Sequence, residues 1–293
     1  MITAESYFSG AGGMDMGLIN AGINVTSSLE LDEVACKNLR ANFDHEVVQA
    51  DIKDELVLAR PKRDIAVGTF PCNRYSRIGD IHGVRTGDDL FLHFFRHVAI
   101  KQHDMYMIEN VPGMKKFKVV MEAFTKLPDY YVNVICPVDS LNWLPQKRKR
   151  LIIIGTKKPF KIEEPKISMD RPKLKDILEE NPEIEITKSM IKRMAGKYRD
   201  KPIISDPNDP NAVAPTCVAH YKKDRSTRLV KDDRSELGVR PYTPLEYARL
   251  QGFPDNYKWI GTKNDVCQMI GNAVAVPVGK YLGELANQYF AKA

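Results

Sequence analysis

The first half of the chain alternates apolar, strand-like runs with helix-like runs, and this alternation restricts the fold more than any other feature. Strand candidates fall at residues 3–8, 24–30, 47–51, 65–70, 105–109, 131–138 and 151–156. Helix candidates lie between them at 14–21, 33–42, 90–102 and 119–126. Strand and helix in regular alternation predict an α/β fold, a mostly parallel sheet covered by helices. In such sheets ligands and catalytic groups gather beyond the C-terminal ends of the strands. The residues just past each strand are therefore the ones to read for chemistry.

Around Lys157 the pattern breaks. Residues 159–241 are rich in Pro, Lys, Glu and Asp, with helix candidates only at 174–180 and 187–194. Asp206-Pro207-Asn208-Asp209-Pro210-Asn211 reads as a turn-rich loop. This stretch is expected to form a second, smaller domain. Order returns at Thr243-Pro244, an N-cap followed by proline at the first helical position, and the chain closes with a helix over 278–291. With 43% hydrophobic and 28% charged residues, the chain of 293 residues has an ordinary globular composition. No apolar run approaches the roughly 18 residues that span a bilayer, so no membrane association is expected. The N-terminus lacks a basic segment followed by an apolar one, so no secretory signal is expected. The cysteines Cys36, Cys72, Cys136, Cys217 and Cys267 form no C-x-x-C pair. That argues against a zinc knuckle or a thioredoxin-like site and fits a reducing, cytoplasmic compartment. The charge of +6 permits a polyanionic partner without requiring one.

Several strand-end segments carry chemistry-bearing residues. Phe8-Ser9-Gly10-Ala11-Gly12-Gly13 follows the first strand and opens the first helix, where glycines let a ligand approach the backbone closely. It is not G-x-G-x-x-G, which weakens a dinucleotide reading. Glu30 ends the next strand, where an acid can bind ribose hydroxyls. Together they suit an adenosyl ligand without phosphates. Pro71-Cys72 closes the fourth strand candidate, and a thiol there is a candidate nucleophile. Taken alone, Cys72 reads rather as a small core hydrophobe. Glu109 ends a hydrophobic strand on the same edge, where it also reads as an ordinary solvated acid. Gln146-Lys147-Arg148-Lys149-Arg150 leads into a strand, and alternation would put Gln146, Arg148 and Arg150 on one face. Gly271-Asn272-Ala273-Val274 reads as a turn before the last helix.

In this order the segments closely resemble the C5-cytosine methyltransferases. The F-x-G-x-G-G, P-C, E-N-V, Q-x-R-x-R, R-x-x-T-x-x-E-x-A-R-x-Q-G-F-P and G-N-A-V motifs of that family match residues 8–13, 71–72, 109–111, 146–150, 240–254 and 271–274. The resemblance covers most of the chain outside 160–239. Asn73 and Arg74 depart from the family pattern, which often has Gln after P-C and a small or polar residue next.

The resemblance implies a Rossmann-like S-adenosylmethionine-dependent methyltransferase sheet with a smaller target-recognition domain. By motif the chain divides into a catalytic domain at 1–159, a recognition domain at 160–262 and a returning segment at 263–293. It implies a DNA cytosine-5 methyltransferase in which Cys72 attacks C6, Glu109 protonates N3, and Arg148 and Arg150 stabilise the base and the thiolate. The methyl donor S-adenosylmethionine, leaving as S-adenosylhomocysteine, would lie against Phe8, Gly10, Gly12, Gly13, Glu30, Leu31, Asp51, Ile52, Phe70, Pro71, Leu90, Asn272 and Val274. No metal is implied. Double-stranded DNA is the implied partner, with the target base flipped out of the stack. A catalytic loop with Asn73, Arg74, Ser76, Arg77 and Arg85, together with Gln146, Thr216, Tyr221, Lys222, Lys223, Arg225 and Arg228, would contact it. The resemblance also implies a cytoplasmic monomer, with a cognate restriction endonuclease as a conceivable companion. A tRNA-methylating branch shares the chemistry but carries Cys-Phe-Thr, which is absent here. An inactive paralogue would lack Cys72 or Glu109, and both are present.

Overall fold

In the computed structural model, residues 1–71 and 90–292 are described, and the β-α alternation runs from the first residues onward. The chain forms β1 (Thr3–Tyr7), α1 (Gly13–Asn20), β2 (Asn24–Glu30), α2 (Glu33–Asn42), β3 (Glu46–Gln49), α3 (Glu55–Leu58), β4 (Ile65–Gly68), α4 (Leu90–Lys101), β5 (Met105–Asn110), α5 (Lys118–Thr125), β6 (Tyr131–Asp139) and β7 (Lys149–Thr156). There follow α6 (Leu174–Ile177), α7 (Lys188–Ala195), β8 (Ile203–Ser205), β9 (Arg228–Lys231), β10 (Val239–Pro241), α8 (Pro244–Arg249), α9 (Lys263–Asn272) and α10 (Val276–Phe290). Two compact units result: Met1–Asp139 with Lys149–Pro165 and Val276–Ala293, and Ser140–Arg148 with Lys166–Ala275. Division by packing thus differs from division by motif at three places, since residues 140–148 and α9 lie in the second unit and residues 160–165 in the first.

The first unit is built on a seven-stranded sheet of order β3-β2-β1-β4-β5-β7-β6. Strands β1 to β5 pair in parallel, and β7 runs antiparallel to both β5 and β6. The chain moves outward from β1 through β2 to β3, then returns to place β4 on the other side of β1. This reversal opens a crevice at the C-terminal ends of β1 and β4. Central strands are buried on both faces, as in β5 and in β7 from Leu151 onward, which is why they read as continuous apolar runs. Helix α1 meets α10 backbone to backbone. A Cβ on Gly17 would lie 2.4 Å from the Val276 carbonyl and 2.5 Å from the Lys280 nitrogen, so only glycine admits this approach.

The second unit holds a small sheet of order β10-β9-β8 over the buried side chains of Met190, Leu229 and Val239. Thr243 and Glu246 form a reciprocal capping box at α8, with Pro244 in its first turn. Glu246 also receives both terminal nitrogens of the buried Arg240, at 2.7 and 2.8 Å. Helix α9 replaces the turn expected around Gly271. Thr262 and Asp265 cap it reciprocally, and a T-x-x-D pattern ahead of an apolar stripe was the signal for it.

Candidate active site

The loop after β1 is shaped by left-handed backbone. Phe8, Gly10 and Gly12 have φ of 63°, 54° and 70°. Gly12 donates to the Ser9 carbonyl at 2.8 Å, and a Cβ on it would strike the Phe43 ring at 2.5 Å. Among the described residues, a Cβ at Gly10 would meet only the Phe8 carbonyl, at 4.0 Å, which leaves room beside the backbone there. Glu30, at the end of β2, staples the loop: Oε2 accepts from Gly10 N at 2.8 Å. Its Oε1 accepts from Leu31 N at 2.8 Å and Asp32 N at 2.9 Å. A carboxylate has about four acceptor sites, so roughly one remains for a ligand. Beneath the loop Asp15 is fully buried and accepts from Ser28 Oγ at 2.6 Å, and burial raises its pKa.

The neighbouring strand ends supply an apolar wall. Ile52 and Phe70 are buried, and Leu31 is exposed. The Phe8 and Phe70 rings meet edge to face at 6.3 Å. Asp51 is exposed and accepts from Lys53 N at 3.0 Å. Pro71 is exposed and Leu90, the first residue of α4, is half-buried. Asn272 and Val274 belong to the second unit, one exposed and one buried.

Because β7 is antiparallel to β5, its beginning lies at the same edge as the end of β5. Glu109 is in register with Ile152, two residues beyond Arg150. This brings Arg150 Nε to 2.7 Å from Glu109 Oε1, with both side chains largely buried. Asn110, which the sequence reading left without a role, donates to the Phe70 carbonyl at 3.0 Å and accepts from Val111 N at 2.9 Å. It pins the end of the β4 segment just before Pro71. Cys72, Asn73, Arg74, Ser76, Arg77 and Arg85 lie outside the described residues.

Arg148 and Gln146 do not share the face of Arg150. They precede β7 and belong to the second unit, so strand alternation does not reach them. Arg148 is buried, and it donates to the carbonyls of Cys217 at 2.6 Å, Ala273 at 2.7 Å and Gly271 at 3.3 Å. Gln146 is also buried, donating to the Leu250 carbonyl at 2.6 Å and accepting from Cys217 N at 2.8 Å. Both therefore hold the second unit together.

Among the expected DNA contacts, Tyr221 is corrected outright. It is fully buried, stacked on Tyr247 with ring centroids 4.4 Å apart, and it donates to the Tyr242 carbonyl at 3.1 Å. An aromatic in a charged run had read as exposed, but its ring packs inward. Arg225 pairs with Glu185 at 2.9 Å and reaches Asn264 at 3.0 Å. Arg228 donates to the Thr216 carbonyl at 2.9 Å, and Thr216 Oγ1 to the Lys147 carbonyl at 2.7 Å. Lys222 is bonded to Gln268, and Lys223 is exposed.

The switch-point crevice, glycine loop and strand-end acid define a Rossmann-like S-adenosylmethionine-dependent methyltransferase fold. Solved structures agree. The Entamoeba histolytica methyltransferase EhMeth superposes with a TM-score of 0.79 at 21% identity, covering 99% of both chains. The S. pombe Dnmt2 methyltransferase gives 0.74 at 17%, again covering 99% of each. In sequence, the C-5 cytosine-specific DNA methylase family matches residues 2–287. The Type II methyltransferase M.BsuFI of Bacillus subtilis is 30% identical over 294 residues, 95% of this chain and 71% of that protein. M.MspI of Moraxella sp is 30% identical over 290 residues, covering 94% and 68%. The chain belongs to the C-5 cytosine-specific DNA methylase family, and its enzymatic class is DNA cytosine-5 methyltransferase.

Proposed function

We propose that this enzyme methylates carbon 5 of a cytosine in double-stranded DNA, at a specific sequence, with Cys72 as nucleophile. Carbon 5 is unreactive until a thiolate adds to C6 and N3 gains a proton. In this reading Cys72 adds to C6 and Glu109 supplies the N3 proton. Arg150 orients the Glu109 carboxyl and stabilises negative charge on the adduct. Once C5 carries the methyl group, its proton passes to solvent, the thiolate leaves C6, and N3 returns its proton to Glu109, which restores the ring. S-adenosylmethionine, when bound, supplies the methyl group and leaves as S-adenosylhomocysteine. Phe8, Gly10, Gly12 and Gly13 would hold its amino-acid part, Glu30 its ribose, and Leu31, Asp51, Ile52, Phe70, Pro71 and Leu90 its adenine. The bare backbone at Gly10 and the acceptor site left on Glu30 suit such a ligand.

The observation that carries this reading is the Glu109–Arg150 pair at the sheet edge where β4 ends, a few residues ahead of Cys72 in the sequence. A thiol cannot reach C6 inside a stacked duplex, so the cytosine would be flipped out. The named relatives are Type II enzymes, which favours a cytoplasmic modification enzyme, acting as a monomer and partnered with a restriction endonuclease. Incubation with labelled S-adenosylmethionine and either duplex DNA or total tRNA tests the substrate; labelled tRNA beside unlabelled DNA would overturn it. Duplex DNA containing 5-fluorocytosine should trap a covalent adduct that Cys72→Ala cannot form. An adduct that survives this substitution refutes the nucleophile.

A further inference from the structure

A buried polar chain under the donor loop takes no part in the chemistry described so far. Tyr7 ends β1 and directly precedes the left-handed Phe8. Its hydroxyl lies 3.1 Å from Nδ1 of His97 on α4, and His97 Nε2 lies 3.4 Å from the Ile52 carbonyl. Tyr7, His97 and Ile52 are all buried. A carbonyl can only accept, so Nε2 carries the ring proton and Nδ1 is an acceptor. The Tyr7 hydroxyl, which also bonds the Glu5 carboxylate, can then give its proton to Nδ1. Lys101, one turn further along α4, donates to the Tyr7 hydroxyl at 3.1 Å and to the Glu5 oxygens at 3.1 and 3.3 Å. Lys101, Tyr7, His97 and Ile52 thus form one hydrogen-bonded chain, with the Glu5 carboxylate beside Lys101 and Tyr7. Arg96, beside His97, adds bonds to the Glu55 carboxylate at 2.7 Å and the Lys53 carbonyl at 3.5 Å. Helix α4 thus grips both the strand that launches the glycine loop and the turn that follows β3.

We propose that His97 is a positioning residue for methyl-donor binding, locking the end of β1 and the Ile52 turn at the separation a bound donor requires. This rests on the reading of these segments as the donor pocket. The imidazole suits the task because it offers a donor and an acceptor on opposite sides of one rigid ring. Burial keeps it neutral, holding its pKa down to about 4, so one ring nitrogen stays an acceptor at working pH. With an apolar residue at 97, the Tyr7 hydroxyl and the Ile52 carbonyl lose their common partner and the two segments shift independently.

Calorimetric titration of the full chain with S-adenosylhomocysteine tests this without turnover. His97→Leu, which removes both bonds, should weaken binding about tenfold or more. Tyr7→Phe, which keeps the ring packed against Phe94 at a centroid distance of 5.6 Å, should weaken it about three- to tenfold. His97→Gln keeps a donor and an acceptor and should stay within about threefold of wild type. The KM for DNA should be unchanged in all three. Wild-type affinity in folded His97→Leu or Tyr7→Phe overturns the proposal, as does a glutamine variant no better than leucine or a parallel rise in the KM for DNA. Failure of the wild type itself to bind S-adenosylhomocysteine would be a different failure, that of the donor-pocket reading.

Discussion

Replacing Arg148 by methionine should unfold the second unit far more easily, because Arg148 caps a helix. Its guanidinium meets the Gly271 and Ala273 carbonyls at the C-terminus of α9 and the Cys217 carbonyl beside it. Carbonyls in the last turn of a helix have no partner within it, and a cation there also offsets the helix dipole. Methionine fills much of the volume but donates nothing. Ala273 keeps one donor, Gln251 Nε2 at 3.0 Å. The Cys217 and Gly271 carbonyls lose the bonds from Arg148, at roughly 1–3 kcal/mol for each buried group left unsatisfied. Removing a buried charge returns part of this, so the expected loss is about 3 kcal/mol. In urea, with a slope of about 1–3 kcal/mol/M, the midpoint should fall by about 1 M or more. Arg150→Met is the contrasting case, two residues away in sequence. Its partner is the largely buried Glu109, so besides the stability lost by leaving that carboxylate unpaired, about 3–5 kcal/mol, it should reduce methyl transfer about 10²- to 10³-fold. If Arg148→Met unfolds at the wild-type midpoint, those carbonyls find other donors and the capping argument is wrong.

Other perturbations follow from the same geometry. Glu109→Gln should lower single-turnover methyl transfer about 10²- to 10⁴-fold while S-adenosylhomocysteine binding stays unchanged; full activity would remove Glu109 from the chemistry. Gly17→Leu should destabilise the first unit by several kcal/mol, since backbone atoms of α10 lie where its side chain would begin. A fall in melting temperature of only a degree or two would count against the close α1–α10 contact. Proton NMR should find His97 and His103 titrating near pH 4, because burial opposes their protonation, well below the ~6.5 of free imidazole. Between about pH 6.5 and 4 the unfolded state then binds protons that the folded state does not. On account of these two histidines stability falls as pH drops through that window, each adding at most about 1.4 kcal/mol per pH unit. Glu5 and Asp15, whose pKa values burial raises, act in the opposite sense.

The sequence by itself determined what is local. Strand and helix periods differ, and each is written in a few consecutive side chains, so β2 and α2 emerge with the bounds expected of them. The glycine loop, the strand-end acids and the capped start of α8 are likewise short-range patterns. Tertiary structure decided which of these residues meet. Glu109 and Arg150 become partners because β7 runs antiparallel to β5, a matter of topology that no local pattern encodes. Arg148 and Arg150 share one motif yet part company, since β7 begins between them at Lys149 and the earlier arginine folds into the other unit. Tyr221, in a run of cations, turns inward because stacking on Tyr247 shelters an aromatic ring from water. The pairing of Tyr7 with His97 joins residues 90 positions apart, and it took the packing of α4 over the sheet to turn two unremarkable side chains into one clasp.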